Sequence, residues 1–270
     1  MPKQPTIFVP HGGGPWPFVT IPGFSNQLED LRPYLVGLLS YLPEKPRAVL
    51  VISAHWEAPV PTVQSSASPP MLYDYSGFPP ESYEITWPAP GSRAVAKEVI
   101  EMLESNDIAS AEDEHRGYDH GAFVVTKLMD PQAQIPTLQL SLTSDLDPLR
   151  LLNIGRALEP LRDQGVLILG SGYSYHNMRG FFAAMRGDRK PTEDSRYFDE
   201  WLAASLSLQP DERQQRLLDW TKAPRARACH PREEHLMPLF VCLGAALESK
   251  VELPFRQNLA GTHTLAAHFG

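Results

Sequence analysis

Three of the nine histidines in this 270-residue chain stand where short aliphatic runs end. His11 follows Thr6-Ile7-Phe8-Val9-Pro10, and His55 follows Ala48-Val49-Leu50-Val51-Ile52-Ser53 and Ala54. His176 closes Ser171-Gly172-Tyr173-Ser174-Tyr175 after the run Val166-Leu167-Ile168-Leu169. A neutral imidazole offers one lone pair to a metal while a neighbour orients its other nitrogen, so histidine is the commonest protein ligand for zinc and suits iron as well. A site gathered from distant parts of the chain has no spacing signature of the zinc-finger kind, so each residue is read from its context.

His11 sits in Pro10-His11-Gly12-Gly13-Gly14-Pro15, where glycines allow the backbone to approach a ligand closely. The plainer reading is a turn with an exposed imidazole. No Gly-Lys-Ser/Thr follows, so this is not a P-loop. His55 lies in Ser53-Ala54-His55-Trp56, where a core-edge histidine is the bland alternative. The segment before His176 has no Gly-x-Ser-x-Gly elbow, which removes one class of serine hydrolase. His120, in Gly117-Tyr118-Asp119-His120-Gly121, opens an apolar helical run. The free N–H groups there suit a neutral histidine that donates to substrate, with a capping Asp119 as the simpler account. In His230-Pro231-Arg232-Glu233-Glu234-His235 the proline is placed to start a helix, so that Glu233 or Glu234 and His235 would face a site from its first turn. Those glutamates also fit as mere partners of a helix dipole. His115 lies in a charged loop and reads as solvated, and His263 and His268 read as packing or surface residues. Tyr73-Asp74-Tyr75-Ser76-Gly77-Phe78-Pro79, followed by Trp87-Pro88-Ala89-Pro90-Gly91, reads as a wall for a flat ligand or as a loop pinned by its own aromatics.

The elements that must position these residues alternate. Strands are expected at Thr6–Val9, Ala48–Ser53, Thr137–Leu142 and Val166–Leu169, short aliphatic runs bounded by Pro or Gly. Helical periodicity marks Leu28 to Leu39, Ala94 to Leu103 behind a Ser92 cap, Gly121 to Met129, and Leu149 to Leu161. The stretch from Pro191 to Ala223 is helical and rich in charge, either a subdomain or a cover for the core. This pattern predicts an α/β fold in which a mostly parallel or mixed central sheet is covered by helices on both faces. No linker divides it, so residues 1–270 are expected to form a single catalytic domain. Ligands of such sheets sit beyond the carboxyl ends of the strands, where the histidines arrive.

Composition narrows the function classes. Hydrophobic residues make up 42% and charged residues 21%, ordinary values for a globular protein. A net charge of −8 with a pI near 5.6 and only short, scattered basic runs argues against nucleic-acid binding. Two cysteines, Cys229 and Cys242, exclude a disulfide framework and fit a reducing compartment. No basic segment with an apolar run behind it opens the chain, and no run of about 18 apolar residues occurs, so a cytoplasmic protein without a membrane span is expected.

Taken together, the motifs resemble those of the class III extradiol ring-cleaving dioxygenases, the superfamily of protocatechuate 4,5-dioxygenase, and most closely its DOPA-dioxygenase branch. The matching segments are the His11, Ser53–Trp56, Tyr75–Pro79, Trp87–Gly91, Asp119–Gly121, Ser171–Asn177 and His230–His235 motifs, in order along the chain. The first departs from the branch's usual Gly-His-Gly-Ser-Pro but keeps the histidine. The resemblance implies that His11, His55 and His235 bind a divalent metal, with Fe(II) expected for activity and Zn(II) able to occupy the same ligands. In the protocatechuate branch the third ligand is a glutamate, and Glu234 is adjacent to His235. His176 is implied as the acid/base, and in some members as a further metal ligand. His120 is implied to touch substrate, and Tyr75, Phe78 and Trp56 are expected to face it. The implied partners are a catechol, DOPA-like or related, and O2, which meet at the open positions of a facial triad. Ring opening beside the diol would leave a semialdehyde carrying a carboxylate. The chain is expected to act as a monomer or homodimer. Two other functions fit the same histidines: a zinc-dependent hydrolase and a non-catalytic binding protein on this scaffold.

Overall fold

The aliphatic runs after Pro5, Arg47, Pro136 and Gly165 all become strands, as their composition predicts. A computed structural model describes residues 2–270. Its strands are β1 (Thr6–Pro10), β2 (Ala48–Ala58), β3 (Thr62–Gln64), β4 (Ala111–Asp113), β5 (Thr137–Thr143), β6 (Val166–Gly172), β7 (Val251–Leu259) and β8 (Thr262–Phe269). They form one mixed sheet in the order β4-β3-β5-β2-β6-β1-β8-β7. The four central strands β5, β2, β6 and β1 are mutually parallel. Val9 pairs with Ser171 and Ser53 pairs with the same Ser171, so the ends of β1 and β6 lie level with the Ser53 position of β2.

Alternation along these strands feeds two apolar layers. Phe8, Leu50, Ile52 and Ile168 face one side, and Ile7, Val9, Val51 and Leu169 face the other, all fully buried. Each such side chain contributes about 1.5–3 kcal/mol on burial. The helices are α1 (Leu31–Val36), α2 (Arg93–Glu104), α3 (His120–Met129), α4 (Pro148–Leu158), α5 (Pro160–Asp163), α6 (Met178–Met185), α7 (Arg189–Leu206), α8 (Pro210–Leu218), α9 (Ala226–Cys229) and α10 (Pro238–Ala245). The first layer is closed by α2, α4, α7 and α10, the second by α1 and α3. Ser92 caps α2 through Val95 N, and Asp119 caps α3 through Ala122 N. Each such cap is worth about 1 kcal/mol.

Several expectations shift. β2 runs on to Ala58, so His55 lies on the strand and not beyond it. The periodic stretch from Leu28 to Leu39 yields only α1 between two 3-10 turns, because Gly37 ends the helix. Pro160 divides the Leu149–Leu161 run into α4 and α5, since proline supplies no N–H to continue the ladder. Pro231 starts no helix. Residues 231–237 form turns, and Pro238 opens α10 instead. The Pro191–Ala223 stretch covers the core, with α7 packed on β8. The β7–β8 hairpin escaped the sequence reading. Its two-residue turn uses Ala260 and Gly261, both at positive φ, where Asn-Gly would have been the recognisable signal. Among the described residues no helix is long and apolar enough to cross a membrane.

A candidate metal centre at the strand ends

His11 follows the last residue of β1, His55 projects from β2, and His235 lies in the turn before α10. His55 Nε2 lies between the other two: 3.2 Å separates it from His11 Nε2 and 3.3 Å from His235 Nε2. At a metal–nitrogen distance of roughly 2.1 Å, two ligands of one ion stand roughly 3.0 Å apart at right angles and roughly 3.4 Å apart at a tetrahedral angle. The observed spacings fall within that interval.

The outer nitrogens decide whether these contacts are hydrogen bonds or a ligand set. Ser171 donates its hydroxyl to the Gly121 carbonyl, so its oxygen accepts from His11 Nδ1 at 3.1 Å. Glu234 Oε1 accepts from His235 Nδ1 at 2.9 Å. His55 Nδ1 faces Asp74 Oδ2 at 3.6 Å. The Ser171 and Glu234 bonds draw the protons of His11 and His235 to Nδ1, which leaves the Nε2 lone pairs of both rings facing Nε2 of His55. Burial, reinforced by the neighbouring histidines, holds His11 and His235 well below the usual imidazole range and brings His55 down to about 3. Imidazole nitrogens gathered this closely, two of them with their lone pairs turned inward, are a donor set that fits a divalent metal.

Two further histidines border the cluster. His120 opens α3, and both its backbone N–H (2.9 Å) and its Nδ1 (2.8 Å) reach Asp74 Oδ1. Burial alone would raise the Asp74 carboxyl, but the bonds and charges of His120 outweigh it and bring the group to about 2. With Nδ1 spent on Asp74, Nε2 is the ring nitrogen His120 has left for a ligand in the cavity. The rings of His120 and His55 lie 4.0 Å apart. His176 stacks on His235 and points Nδ1 at Glu234 Oε1, 3.1 Å away. Donor atoms of His11, His55 and His120 lie within 4.8 Å of one another, as do those of His176, Glu234 and His235, and the His55–His235 contact joins the two groups.

Local sequence explains the close fit. Gly121 brings α3 directly onto β2: a Cβ there would come within 2.7 Å of Ser53 Oγ and 3.0 Å of His55 Cδ2. Ser53 in turn donates to the helix cap Asp119 at 2.7 Å, and Arg116 binds the other Asp119 oxygen at 2.8 Å. In the His11 motif, Gly14 has φ +53 and leaves no room for a Cβ against the Phe78 ring, 2.7 Å away. That glycine makes space for an aromatic wall.

A cavity of about 380 Å³ opens above the histidines, with Tyr75, Phe78 and Tyr173 among its walls. This is the size of a small-molecule site. His11, His55, His120, His176 and His235 all line it. Trp56 does not, contrary to expectation. Successive residues of a strand point to opposite faces, so a cavity-facing His55 turns Trp56 away, and the Arg116 guanidinium covers its ring at 4.9 Å. Tyr73 and Tyr75 also pin their own loop, donating to Ile85 O and Ser82 O, so the loop is both wall and self-braced structure. His230 is buried behind the cavity with Nε2 on Ser174 O, and His115 is exposed. The sequence reading missed Asp74 and Ser171 as orienting partners. Asp74 lies inside the aromatic loop, and only its setting between Tyr73 and Tyr75 hinted at a buried role.

Comparison with known proteins gives a consistent set of relatives. The sequence model of the catalytic LigB subunit of aromatic ring-opening dioxygenase matches residues 31–270. The dioxygenase tasH of Hapsidospora irregularis is 38% identical, over 98% of this chain and 85% of that protein. The 4,5-DOPA dioxygenase extradiol of Beta vulgaris is 38% identical over 92% of this chain and 89% of its own length. The protein of the same name from Escherichia coli K12 is 32% identical over 90% and 85%. Among solved structures, an uncharacterized Escherichia coli K12 protein, JW3007, superposes with a TM-score of 0.79 at 28% identity, over 99% of this chain and 100% of that one.

Proposed function

The chain belongs to the LigB family of aromatic ring-opening dioxygenases and is an extradiol ring-cleavage enzyme of the DOPA-like branch, and we propose that it opens a catechol with O2 at the His11–His55–His235 centre. The observation that carries this reading is the close approach of His11 Nε2 and His235 Nε2 to His55 Nε2 on the floor of an aromatic-walled cavity. Divalent iron held by that floor would supply the redox chemistry that couples an aromatic ring to O2.

The chain's own groups handle orientation and protons. Tyr75 and Phe78 stand edge-to-face, ring centroids 5.4 Å apart, and present a flat aromatic slot beside the histidines. His176, held by Glu234 through Nδ1, keeps Nε2 free to take a proton from a diol hydroxyl and to return it after the ring opens. His120, held by Asp74, accepts a hydrogen bond from the second hydroxyl. The carbon–carbon bond beside the diol breaks. One atom of O2 enters the new carboxylate and the other the new aldehyde. Residues 1–270 act as one catalytic domain, and two unpaired buried cysteines accord with a reducing cytoplasmic setting.

The test is anaerobic loading with Fe(II), then admission of O2 with a panel of catechols, following O2 uptake and the visible absorbance of the ring-opened product. One O2 consumed per catechol, with none for a zinc-loaded control, is expected. No uptake with any catechol by protein shown to contain iron would overturn the proposal.

A further inference from the structure

We propose that the catechol this site takes carries an apolar, uncharged substituent, an alkyl or aryl tail, in place of an amino-acid side chain or a carboxylate. The inference rests on the ring-opening reading and narrows its substrate class.

Beyond the histidine floor, the apolar lining of the cavity includes Ile21, Phe24, Leu28, Phe181 and, at its rim, Met178 and Phe182. Its uncharged polar lining includes Tyr173, Tyr175 and Asn177, whose amide is bonded to Ala228 O and Gly180 N. No lysine, arginine, aspartate or glutamate lines it. A carboxylated or zwitterionic tail would therefore lose its water and gain no counter-charge, which costs more than any other kind of burial. Two guanidiniums beside the histidine motifs are already committed. Arg116 binds Asp119 and the His55 carbonyl, and Arg232 grips both oxygens of Glu57 at 2.6 and 2.7 Å. Neither lines the cavity.

The rim repeats the signal. Met178 and Phe182 stand four residues apart on α6, on one face of the helix, and remain 48% and 44% exposed. Phe181, one position earlier, meets the Phe24 ring edge-on at 6.1 Å. Phe24 is pressed against the His11 motif, where a Cβ on Gly13 would lie 2.7 Å from its ring. A continuous apolar lane thus runs from beside the histidines, past Phe24 and Phe181, to Met178 and Phe182. A ring substituent directed along that lane would cover the exposed rim side chains.

The test separates binding from turnover. Dissociation constants are measured without O2 on zinc-loaded protein, by calorimetry, for catechol, its 4-methyl to 4-hexyl derivatives, L-DOPA, dopamine and 3,4-dihydroxyphenylacetate. The same compounds are then turned over by iron-loaded protein in air. The expected result is tightening by roughly threefold per added methylene until the lane is full. L-DOPA and the phenylacetate should bind at least tenfold more weakly than 4-propylcatechol, with kcat/KM in the same order. Phe182→Lys should weaken the alkyl series and tighten the phenylacetate. L-DOPA binding as tightly as 4-propylcatechol, or no trend along the alkyl series, would overturn this inference while O2 uptake kept ring opening intact. Graded alkyl binding with no O2 uptake for any catechol would sink ring opening and support the apolar lane.

Discussion

His176 lies flat against His235, with ring centroids 3.3 Å apart and planes inclined by 16°, and both rings direct Nδ1 at the same oxygen of Glu234. One carboxylate oxygen thus holds both rings in a fixed relation, and neither can turn without disturbing the other. Burial raises the Glu234 carboxyl, but the His176 bond, its own backbone and Arg232 shift it net downward, so the bridge is a carboxylate.

Glu234→Gln removes that charge at little change of shape and leaves both rings a neutral, weaker acceptor at best. Iron affinity should fall by roughly 10- to 100-fold, the usual effect of losing a partner behind a metal ligand. kcat at saturating iron should fall as well, because His176 loses its orientation. Iron titration and steady-state rates on one preparation separate the two. Unchanged values for both would mean that the bridge positions nothing.

Metal content distinguishes ligands from neighbours. His11→Ala, His55→Ala and His235→Ala should each lose bound metal after dialysis. His176→Ala should retain about one equivalent and lose turnover. All four should stay folded, since the strands beneath them are packed independently of the rings. Elemental analysis provides the readout. Retention by His235→Ala together with loss in Glu234→Ala would transfer the third ligand to the carboxylate.

Ser171→Ala probes the tautomer of His11. The hydroxyl donates to Gly121 O and can only accept from Nδ1, which leaves Nε2 bare. Without it the ring is free to place its proton on either nitrogen, and metal affinity should drop roughly tenfold with little change in catechol KM at saturating metal. A KM change with unaltered metal affinity would contradict this assignment.

Acid should destabilise the metal-free protein partly through His268, which lies on β8 and whose Nε2 meets the Tyr34 hydroxyl at 2.7 Å. Burial brings this imidazole down to about 4, against 6.5 for an unburied one. The folded form then binds fewer protons than the unfolded form between those values. Its contribution is present in full above about pH 6.5 and lost as pH falls through about 4, up to about 3 kcal/mol. Urea unfolding of wild type and His268→Gln at pH 7.5, 6 and 4.5 checks it. The wild type should lose more stability on acidification, whereas parallel losses would assign the acid sensitivity elsewhere.

Much of this site could be read along the chain. The aliphatic runs foretold β1, β5 and β6, and Ser92 and Asp119 marked helix starts, because burial and capping act over neighbours one to four positions apart. His11, His55, His120, His176 and His235 stood out by their motifs and all line the cavity. Trp56 was misplaced because a motif does not say which side of a pleat faces the ligand. The turn at His235 was read as a helix because Pro231 and Pro238 carry the same local signal.

Folding settled the relations that no local pattern records. His11 and His55 are 44 positions apart and His55 and His235 are 180 apart, yet their Nε2 atoms come within 3.3 Å. That meeting follows from the sheet order β2-β6-β1, which sets two strand ends beside a third and brings the turn before α10 over them. Strand order depends on which faces can be buried together across the whole chain. Motif context could therefore single out the histidines, while their Asp74, Ser171 and Glu234 partners, and the charge-free lane beyond them, came from packing alone.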